Sequence, residues 1–267
     1  MSEKNTKQRH MTTKAVFGLT AGVGMVVVGL GLSANVTGSE TPAVASSDLN
    51  PSLQAAAESA LGDAIPTHTP DHLRPAPIDG FVEARYGTEI VYVDPDRGYL
   101  INGDIIDLDG NTNLTDQAKA EARKEALSTV SREDLVVFTP DGSTTATINV
   151  FTDPNCPYCQ QLHEEMDVYL DAGVEVRYLM FPVLGRNSPE VMDRIWCASD
   201  RTGAMDRAKS GDPLDDLRAD CATPQESHLA LGQSLGVRGT PAIFTEDGQN
   251  YAGYRPAAEV IEALRSN

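Results

Sequence analysis

Two cysteines three positions apart carry the strongest chemical signal in the sequence. Cys156 and Cys159 stand in the tetrad Cys-Pro-Tyr-Cys, after the strand-forming run TINVFT and at the start of a predicted helix. A thiol at a helix N-terminus faces unpaired backbone N–H groups and the positive end of the helix dipole, so its pKa falls to roughly 3.5–7.5 in such motifs. This position predicts Cys156, as the more exposed member, to be an attacking thiolate, and Cys159, one turn on, to resolve the mixed disulfide.

The other two cysteines, Cys197 and Cys221, allow more than one interpretation. An even cysteine count in a chain that reaches an oxidising compartment indicates disulfides. A zinc site is disfavoured, because Cys197 and Cys221, with 23 residues between them, are not the close second ligand pair of ordinary structural zinc sites. A purely structural disulfide within the tetrad is also disfavoured, because so short a loop constrains the unfolded chain little.

A second signal is the tripeptide Gly239-Thr240-Pro241, which enters the predicted strand AIFT. A proline just before a strand removes a donor from the ladder, and taken alone it is an ordinary trans turn proline. Because a CxxC tetrad lies 82 residues upstream in the same chain, we predict a cis bond before Pro241, which leaves the local backbone free for a substrate chain.

The elements that must position these residues follow an α/β pattern in residues 132–267, the predicted catalytic domain. Its predicted strands are 135–138, 147–152, 174–180, 240–245 and 251–254, and its predicted helices are 157–171, 190–199, 225–235 and 257–264. The CxxC tetrad thus lies at a strand-to-helix junction.

Residues 50–113 read as a small, mainly antiparallel domain, with a helix over 52–61 and strands over 81–86, 89–93 and 99–108. Such a unit buries little core alone, so pairing an exposed strand edge with a second copy would complete it, which predicts a dimerisation domain. The next segment, 114–131, reads as a polar linker helix with Thr115 as its N-cap, solvated between the two domains.

Residues 1–45 predict an export segment. Lys4, Lys7 and Arg9 precede a stretch without charge that begins at Ala15 and ends at Ala34, long enough to cross a bilayer as a helix. Basic residues before it place the amino end in the cytoplasm and the rest outside. An uncleaved anchor is favoured over cleavage after Ala45, and a buried core helix is disfavoured. The net charge of −18 excludes a general affinity for nucleic acid.

The motifs FTDPNCPYCQQLHEEM, VRYLMFPVLG, RIWCASD, LGVRGTPAIF and GYRP, in this order and spacing, resemble the bacterial periplasmic disulfide isomerases, the DsbC and DsbG family. The resemblance continues upstream through RPAPIDGFVEARYGTEIVYV and covers about residues 52–267. It implies an α+β protein: a thioredoxin-like fold with a helical insertion, preceded by the small dimerisation domain and the linker helix. It also implies a V-shaped homodimer whose CxxC sites face a largely uncharged cleft, with a DsbD-type membrane reductase as electron donor and neither cofactor nor metal.

The resemblance assigns roles residue by residue. It implies a nucleophile at Cys156, a resolving thiol at Cys159, substrate contacts at Pro157, Tyr158, Thr240 and the cis proline Pro241, and a structural disulfide between Cys197 and Cys221. Pro157-Tyr158 departs from the Gly-Tyr usual in DsbC and matches DsbG, whereas the second cysteine pair favours DsbC.

Proton transfer has no obvious carrier in the sequence. Thioredoxins hold a buried carboxylate six residues before the first active cysteine, where this chain has Val150. Asp153 is predicted to be solvated at the strand end and is not assigned as a general base. His163 is predicted to be a surface histidine rather than a partner of the thiolate.

These observations favour a thiol:disulfide isomerase or reductase acting on misfolded exported proteins. The alternatives are a DsbG-like reductase of sulfenylated cysteines, which the same dithiol could perform, and a dimeric holdase chaperone. A monomeric oxidant like DsbA is disfavoured by the preceding β domain and the linker.

Overall fold

The computed structural model describes residues 49–266. The predicted export segment lies outside the described residues. Within them, no helix combines the length and the apolar character that crossing a membrane requires.

A helix and a four-stranded antiparallel sheet open the described chain. Helix α1 spans Pro51–Ala64, and the strands are β1 (His72–Pro75), β2 (Val82–Tyr86), β3 (Glu89–Asp94) and β4 (Tyr99–Ile101), in that spatial order. The Asn50 side chain accepts from the Ser52 amide and so caps α1, and Ala57 and Leu61 bury the helix against the sheet.

The predicted strand over 99–108 is wrong as one element. The chain leaves β4 after Ile101 and then forms a separate two-stranded ribbon from β5 (Ile106–Asp107) and β6 (Thr112–Asn113). Asn102-Gly103-Asp104, three residues poor in β propensity, lie between β4 and β5. Strand β1 was not predicted at all.

Helix α2, Leu114–Ser128, forms where the linker was predicted, but two expectations about it are wrong. Its N-cap is Asn113, whose side chain accepts from the Asp116 amide, whereas Thr115 is buried and its hydroxyl accepts from the Ile105 amide. The helix is also not solvated all round, because small alanines allow close packing: Ala118, Ala120 and Ala122 are buried.

The turn after β10 packs tightly against α2. Gly248 has φ +85°, and a Cβ there would collide with the carbonyl of Ala120. The Arg123 guanidinium donates to the Gly248 carbonyl at 3.0 Å. Glycine is therefore required at this position both by its backbone conformation and by this contact.

The remaining residues build a five-stranded sheet covered by helices. Its strands are β7 (Val136–Phe138), β8 (Ala146–Thr152), β9 (Val174–Met180), β10 (Ala242–Thr245) and β11 (Asn250–Ala252), in the order β11-β10-β8-β9-β7. The central pair β8 and β9 is parallel, and the other pairs are antiparallel. Helices α3 (Pro157–Glu164), α4 (Met166–Asp171), α5 (Ser188–Cys197), α6 (Arg201–Lys209), α7 (Gln225–Ser234) and α8 (Ala257–Ser266) pack around it.

Two helix predictions in this region need correction. The predicted helix over 157–171 is interrupted at Glu165, whose carboxylate accepts from the Tyr254 hydroxyl at 2.8 Å and the Ala257 amide at 2.5 Å, at the start of α8. Helix α6 was missed. Together α5, α6 and α7 lie between β9 and β10, so they form the helical insertion.

Candidate functional site: a buried dithiol at a helix N-terminus

Cys156 is the N-cap residue of α3. Strand β8 ends at Thr152, and after a short turn Pro157 begins the helix, where its missing N–H costs nothing. The Cys159 amide donates to the Cys156 sulfur at 3.4 Å, as in an ordinary side-chain cap. The strand and the helix start therefore hold this sulfur over the backbone amides of the first turn.

The pKa values of the two thiols are shifted in opposite directions. A hydrogen bond from the Cys159 thiol, aided by the backbone amides of Cys159 and Tyr158, lowers the pKa of Cys156 from 9.0 to about 5. Burial, and then the hydrogen bond with Cys156, raise the pKa of Cys159 far above its ordinary value. At neutral pH the pair is thus a Cys156 thiolate beside a neutral Cys159 thiol.

The expectation that Cys156 is the more exposed cysteine is wrong, because both residues are 1% exposed. The segment before β10 covers Cys156: the sulfur lies 3.2 Å from the carbonyl oxygen of Thr240. The Thr240–Pro241 bond is cis. Antiparallel pairing of β10 with β8 brings this segment to the tetrad.

The residues between the two cysteines face outward. Pro157 is exposed, and Tyr158 is 62% exposed. The Tyr158 ring stacks on Tyr254, with centroids 6.5 Å apart. An apolar, aromatic surface therefore lies directly beside the dithiol.

Asp153 is completely buried, so the prediction of a solvated carboxylate is wrong. Its oxygens accept from the amides of Val183 and Leu184 at 2.7 and 2.8 Å, and from the hydroxyl of Ser188 at 2.8 Å. It also accepts from the Asn155 amide at 2.8 Å. The carboxylate therefore anchors the loop after β9 to the turn that carries Cys156.

His163 is half-buried rather than freely exposed at the surface, with 10% of its side chain accessible. Its Nδ1 lies 3.1 Å from the hydroxyl of Tyr178, and its Nε2 lies 2.9 Å from a carboxylate oxygen of Asp206. Burial, and then the charge of Lys209, lower the pKa of His163.

Val150, six residues before Cys156, is buried in the apolar core.

Sequence reasoning missed Lys209, the last residue of α6. The side chain is buried, and Nζ donates to the Thr152 hydroxyl at 2.6 Å and to the Asp153 carbonyl at 2.9 Å. The signal was present but weak: Ala204, Met205 and Ala208 form a buried face of α6, and Lys209 lies on it.

Cys197 at the end of α5 is bonded to Cys221, with Cα atoms 5.8 Å apart. The bond encloses α6 and so ties the helical insertion together. Within residues 49–266 no group of three or more His, Cys, Asp or Glu side chains is placed to hold a metal ion.

Comparison with known proteins gives two family matches along the chain. Residues 49–116 match the disulfide bond isomerase protein N-terminal domain, and residues 131–266 match the thioredoxin-like domain. The predicted fold class, a thioredoxin-like domain after a small N-terminal α+β domain, is confirmed.

Individual relatives agree. The thiol:disulfide interchange protein DsbC of Dickeya dadantii is 36% identical over 72% of this chain and 79% of its own length. The protein of the same name from Escherichia coli is 34% identical over 72% of this chain and 80% of its own length. A crystal structure of a disulfide interchange protein from Neisseria gonorrhoeae, 27% identical, covers 52% of this chain and 98% of its own, with a TM-score of 0.47. The chain belongs to the DsbC family of thiol:disulfide interchange proteins.

Proposed function

We propose that this protein rearranges and reduces non-native disulfides in exported proteins, with Cys156 as nucleophile and Cys159 as resolving thiol. One observation carries this assignment: Cys156 caps α3 beside a neutral thiol, and its pKa lies near 5. A thiolate of that kind is present at neutral pH and leaves readily from a mixed disulfide.

The cycle begins when the Cys156 thiolate attacks one sulfur of a substrate disulfide. This forms a mixed disulfide and frees a substrate thiolate. If another substrate thiol attacks that bond, the substrate leaves isomerised and Cys156 is released as a thiolate. If Cys159 attacks Cys156 instead, the substrate leaves reduced and the protein carries a Cys156–Cys159 disulfide.

We assign substrate contact to Pro157, Tyr158, Thr240 and Pro241. The carbonyl of Thr240 lies 3.2 Å from the Cys156 sulfur, so an extended chain aligned on that segment would bring its own sulfur close to Cys156. Exposed Val183 and Leu184, on the loop that Asp153 holds, add apolar surface near the tetrad. Such a surface suits unfolded chains with exposed apolar side chains.

We further propose a homodimer formed through the N-terminal domain, with the boundaries 50–113, 114–131 and 132–267 for domain, linker and catalytic domain. Among the strands of residues 49–266, β4 pairs with β3 alone, and it carries the exposed side chains of Tyr99, Leu100 and Ile101. Leu108, 86% exposed, extends the patch. An unpaired apolar edge is a template for a second copy. We assign the Cys197–Cys221 bond a structural role in the helical insertion.

The site of action is proposed to be the periplasm, reached through the basic and apolar residues 1–45, as a tethered or a cleaved protein. An isomerase must keep its dithiol reduced in an oxidising compartment, so an electron donor is required. We propose a membrane reductase of the DsbD type.

Reactivation of scrambled ribonuclease tests the proposal. The protein is expected to restore ribonuclease activity in a glutathione buffer, and Cys156→Ser to abolish this while leaving the fold intact. Lack of reactivation by a folded protein whose dithiol still reacts with a thiol reagent would contradict isomerase function.

A further inference from the structure

Lys209 is a buried cation whose hydrogen-bond acceptors carry no charge. Only 5% of the residue is exposed, and both hydrogen-bond acceptors of Nζ, the Thr152 hydroxyl and the Asp153 carbonyl, are neutral. Among the residues the structure describes, no carboxylate lies within ion-pair distance of Nζ. Burying an unpaired ammonium is costly, and burial lowers the pKa of Lys209 to about 8.

The charged and titratable groups around Lys209 are otherwise occupied. The carboxylate of Asp153 accepts hydrogen bonds from the loop after β9, and His163 and Asp206 are hydrogen-bonded to each other. The ring of Tyr178 lies 5.6 Å from Nζ, and burial raises the pKa of its hydroxyl, so it stays neutral. The anions whose charge acts on Lys209 are first the sulfur of Cys159, then that of Cys156, and after them the carboxylate of Asp153.

Thr152 connects Lys209 to Cys159. Its hydroxyl accepts from Nζ at 2.6 Å, and hydrogen bonding by the same side chain opposes the effect of burial by lowering the pKa of Cys159. All three groups are buried, so water does not screen the charges. The anion with the strongest effect on Lys209 is therefore one that the reaction itself creates, the thiolate of Cys159.

We propose that Lys209 is a positioning residue for the resolving step, acting through the Thr152 hydroxyl to receive the proton of Cys159 and to stabilise the thiolate that results. The inference rests on the proposed function, in which Cys159 resolves the mixed disulfide.

The step balances without any further reagent. The step starts from the neutral amine of Lys209, the minor form at neutral pH because the pKa of Lys209 is about 8. In that form the amine accepts from the Thr152 hydroxyl, so the Cys159 thiol gives its proton through Thr152 to Lys209, which becomes an ammonium. The Cys159 thiolate attacks the sulfur of Cys156, the Cys156–Cys159 bond forms, and the bond from Cys156 to the substrate breaks. The substrate sulfur leaves with the electron pair and takes up a proton, which the ammonium returns through solvent. Two electrons pass from the dithiol to the substrate.

Lys209 therefore governs one branch of the cycle. Release by a second substrate thiol does not use Cys159, whereas release as a reduced product does. A chain without the lysine should hold the mixed disulfide longer and favour isomerisation over reduction.

The test separates two rates. The reduced full-length protein is mixed with a peptide disulfide that carries a fluorophore, and formation and release of the mixed disulfide are followed from pH 6 to pH 9. In the parent, release should rise with pH to a midpoint near 8, where Lys209 loses its proton. For Lys209→Met, release is expected to slow about tenfold, equivalent to one unit in the pKa of Cys159, and this midpoint should disappear. Formation should change less than about twofold. Arg207→Met, on the same helix but at the surface pair with Asp216, is the matched control and should alter neither rate.

If Lys209 is purely structural, Lys209→Met would lower the melting temperature and leave the midpoint of release near pH 8 in place, and that result would overturn the proposal. If Lys209→Met does not fold, Thr152→Val carries the test. It removes the connecting hydroxyl at nearly constant volume, and an unchanged release profile in this variant also overturns the proposal. Failure of the parent protein to form any mixed disulfide would instead refute the proposed function.

Discussion

Removing the Cys159 thiol should make Cys156 markedly less acidic. The hydrogen bond from Cys159 is the largest of the effects that bring the pKa of Cys156 from 9.0 to about 5, and backbone amides of the first turn of α3 supply part of the rest. A hydrogen bond to a charged group contributes about 1.5–3 kcal/mol. At 1.36 kcal/mol per pKa unit, Cys159→Ala should raise the pKa of Cys156 by about 1–2 units. At pH 6 the thiolate fraction would then fall from about nine tenths to between about a half and a tenth.

The assay is the rate of alkylation of Cys156 by iodoacetamide as a function of pH, with the modified residue identified by mass. Cys197 and Cys221 are bonded to each other, so Cys156 is the only free thiol in the Cys159→Ala protein. Cys159→Ser is the matched control: its hydroxyl keeps a donor, so Cys156 should titrate within about half a unit of the parent, well inside the change expected for alanine. An alanine variant that titrates at the parent pH would refute the assignment of the acidity to this hydrogen bond.

Three further predictions concern the scaffold. Asp153→Asn should lower the free energy of unfolding by about 1–3 kcal/mol, measured in urea, because an amide cannot accept from all the donors that the carboxylate satisfies. Gly248→Ala should cost about 1–3 kcal/mol in the same assay, because it adds a Cβ at positive φ against the carbonyl of Ala120; stability equal to the parent would contradict the described packing. The double variant Cys197→Ser/Cys221→Ser should lose about 3.5 kcal/mol by loop entropy for a separation of 24 residues, while the alkylation pH of Cys156 stays unchanged.

Local chemistry made the centre of the site predictable. The strand β8, the capping position of Cys156 and the helix-starting Pro157 all lie within about a dozen consecutive residues, where alternation, capping preference and proline position act together. The tetrad and its neighbouring strand could therefore be located without any distant contact.

The residues around the dithiol could not be predicted from local sequence patterns. Asp153 looks solvated in the sequence because the amides that bury it belong to Val183 and Leu184, 30 and 31 residues away. Lys209 ends a helix with a weakly apolar face, and its acceptors lie 57 and 56 residues earlier in the chain. Such contacts are set by tertiary packing, which no local pattern encodes.

The upstream errors have the same origin. The alanines of α2 do not indicate in the sequence whether they are buried or exposed, yet their small size lets the turn at Gly248 approach the helix backbone. Asn113 and Thr115 are both acceptable caps by residue type. Asn113 is the N-cap because the Thr115 hydroxyl is already hydrogen-bonded to the Tyr92 hydroxyl and the Ile105 amide.

The central claim, that Cys156 is the sulfur that attacks substrate, is tested most directly by trapping. The Cys159→Ser protein cannot resolve a mixed disulfide, so after incubation with scrambled ribonuclease at pH 7 and acid quenching it should carry covalently bound ribonuclease. Peptide mass mapping should place every such bond at Cys156. Attachment at Cys197 or Cys221, or a Cys156→Ser protein that traps ribonuclease equally well through Cys159, would contradict the account.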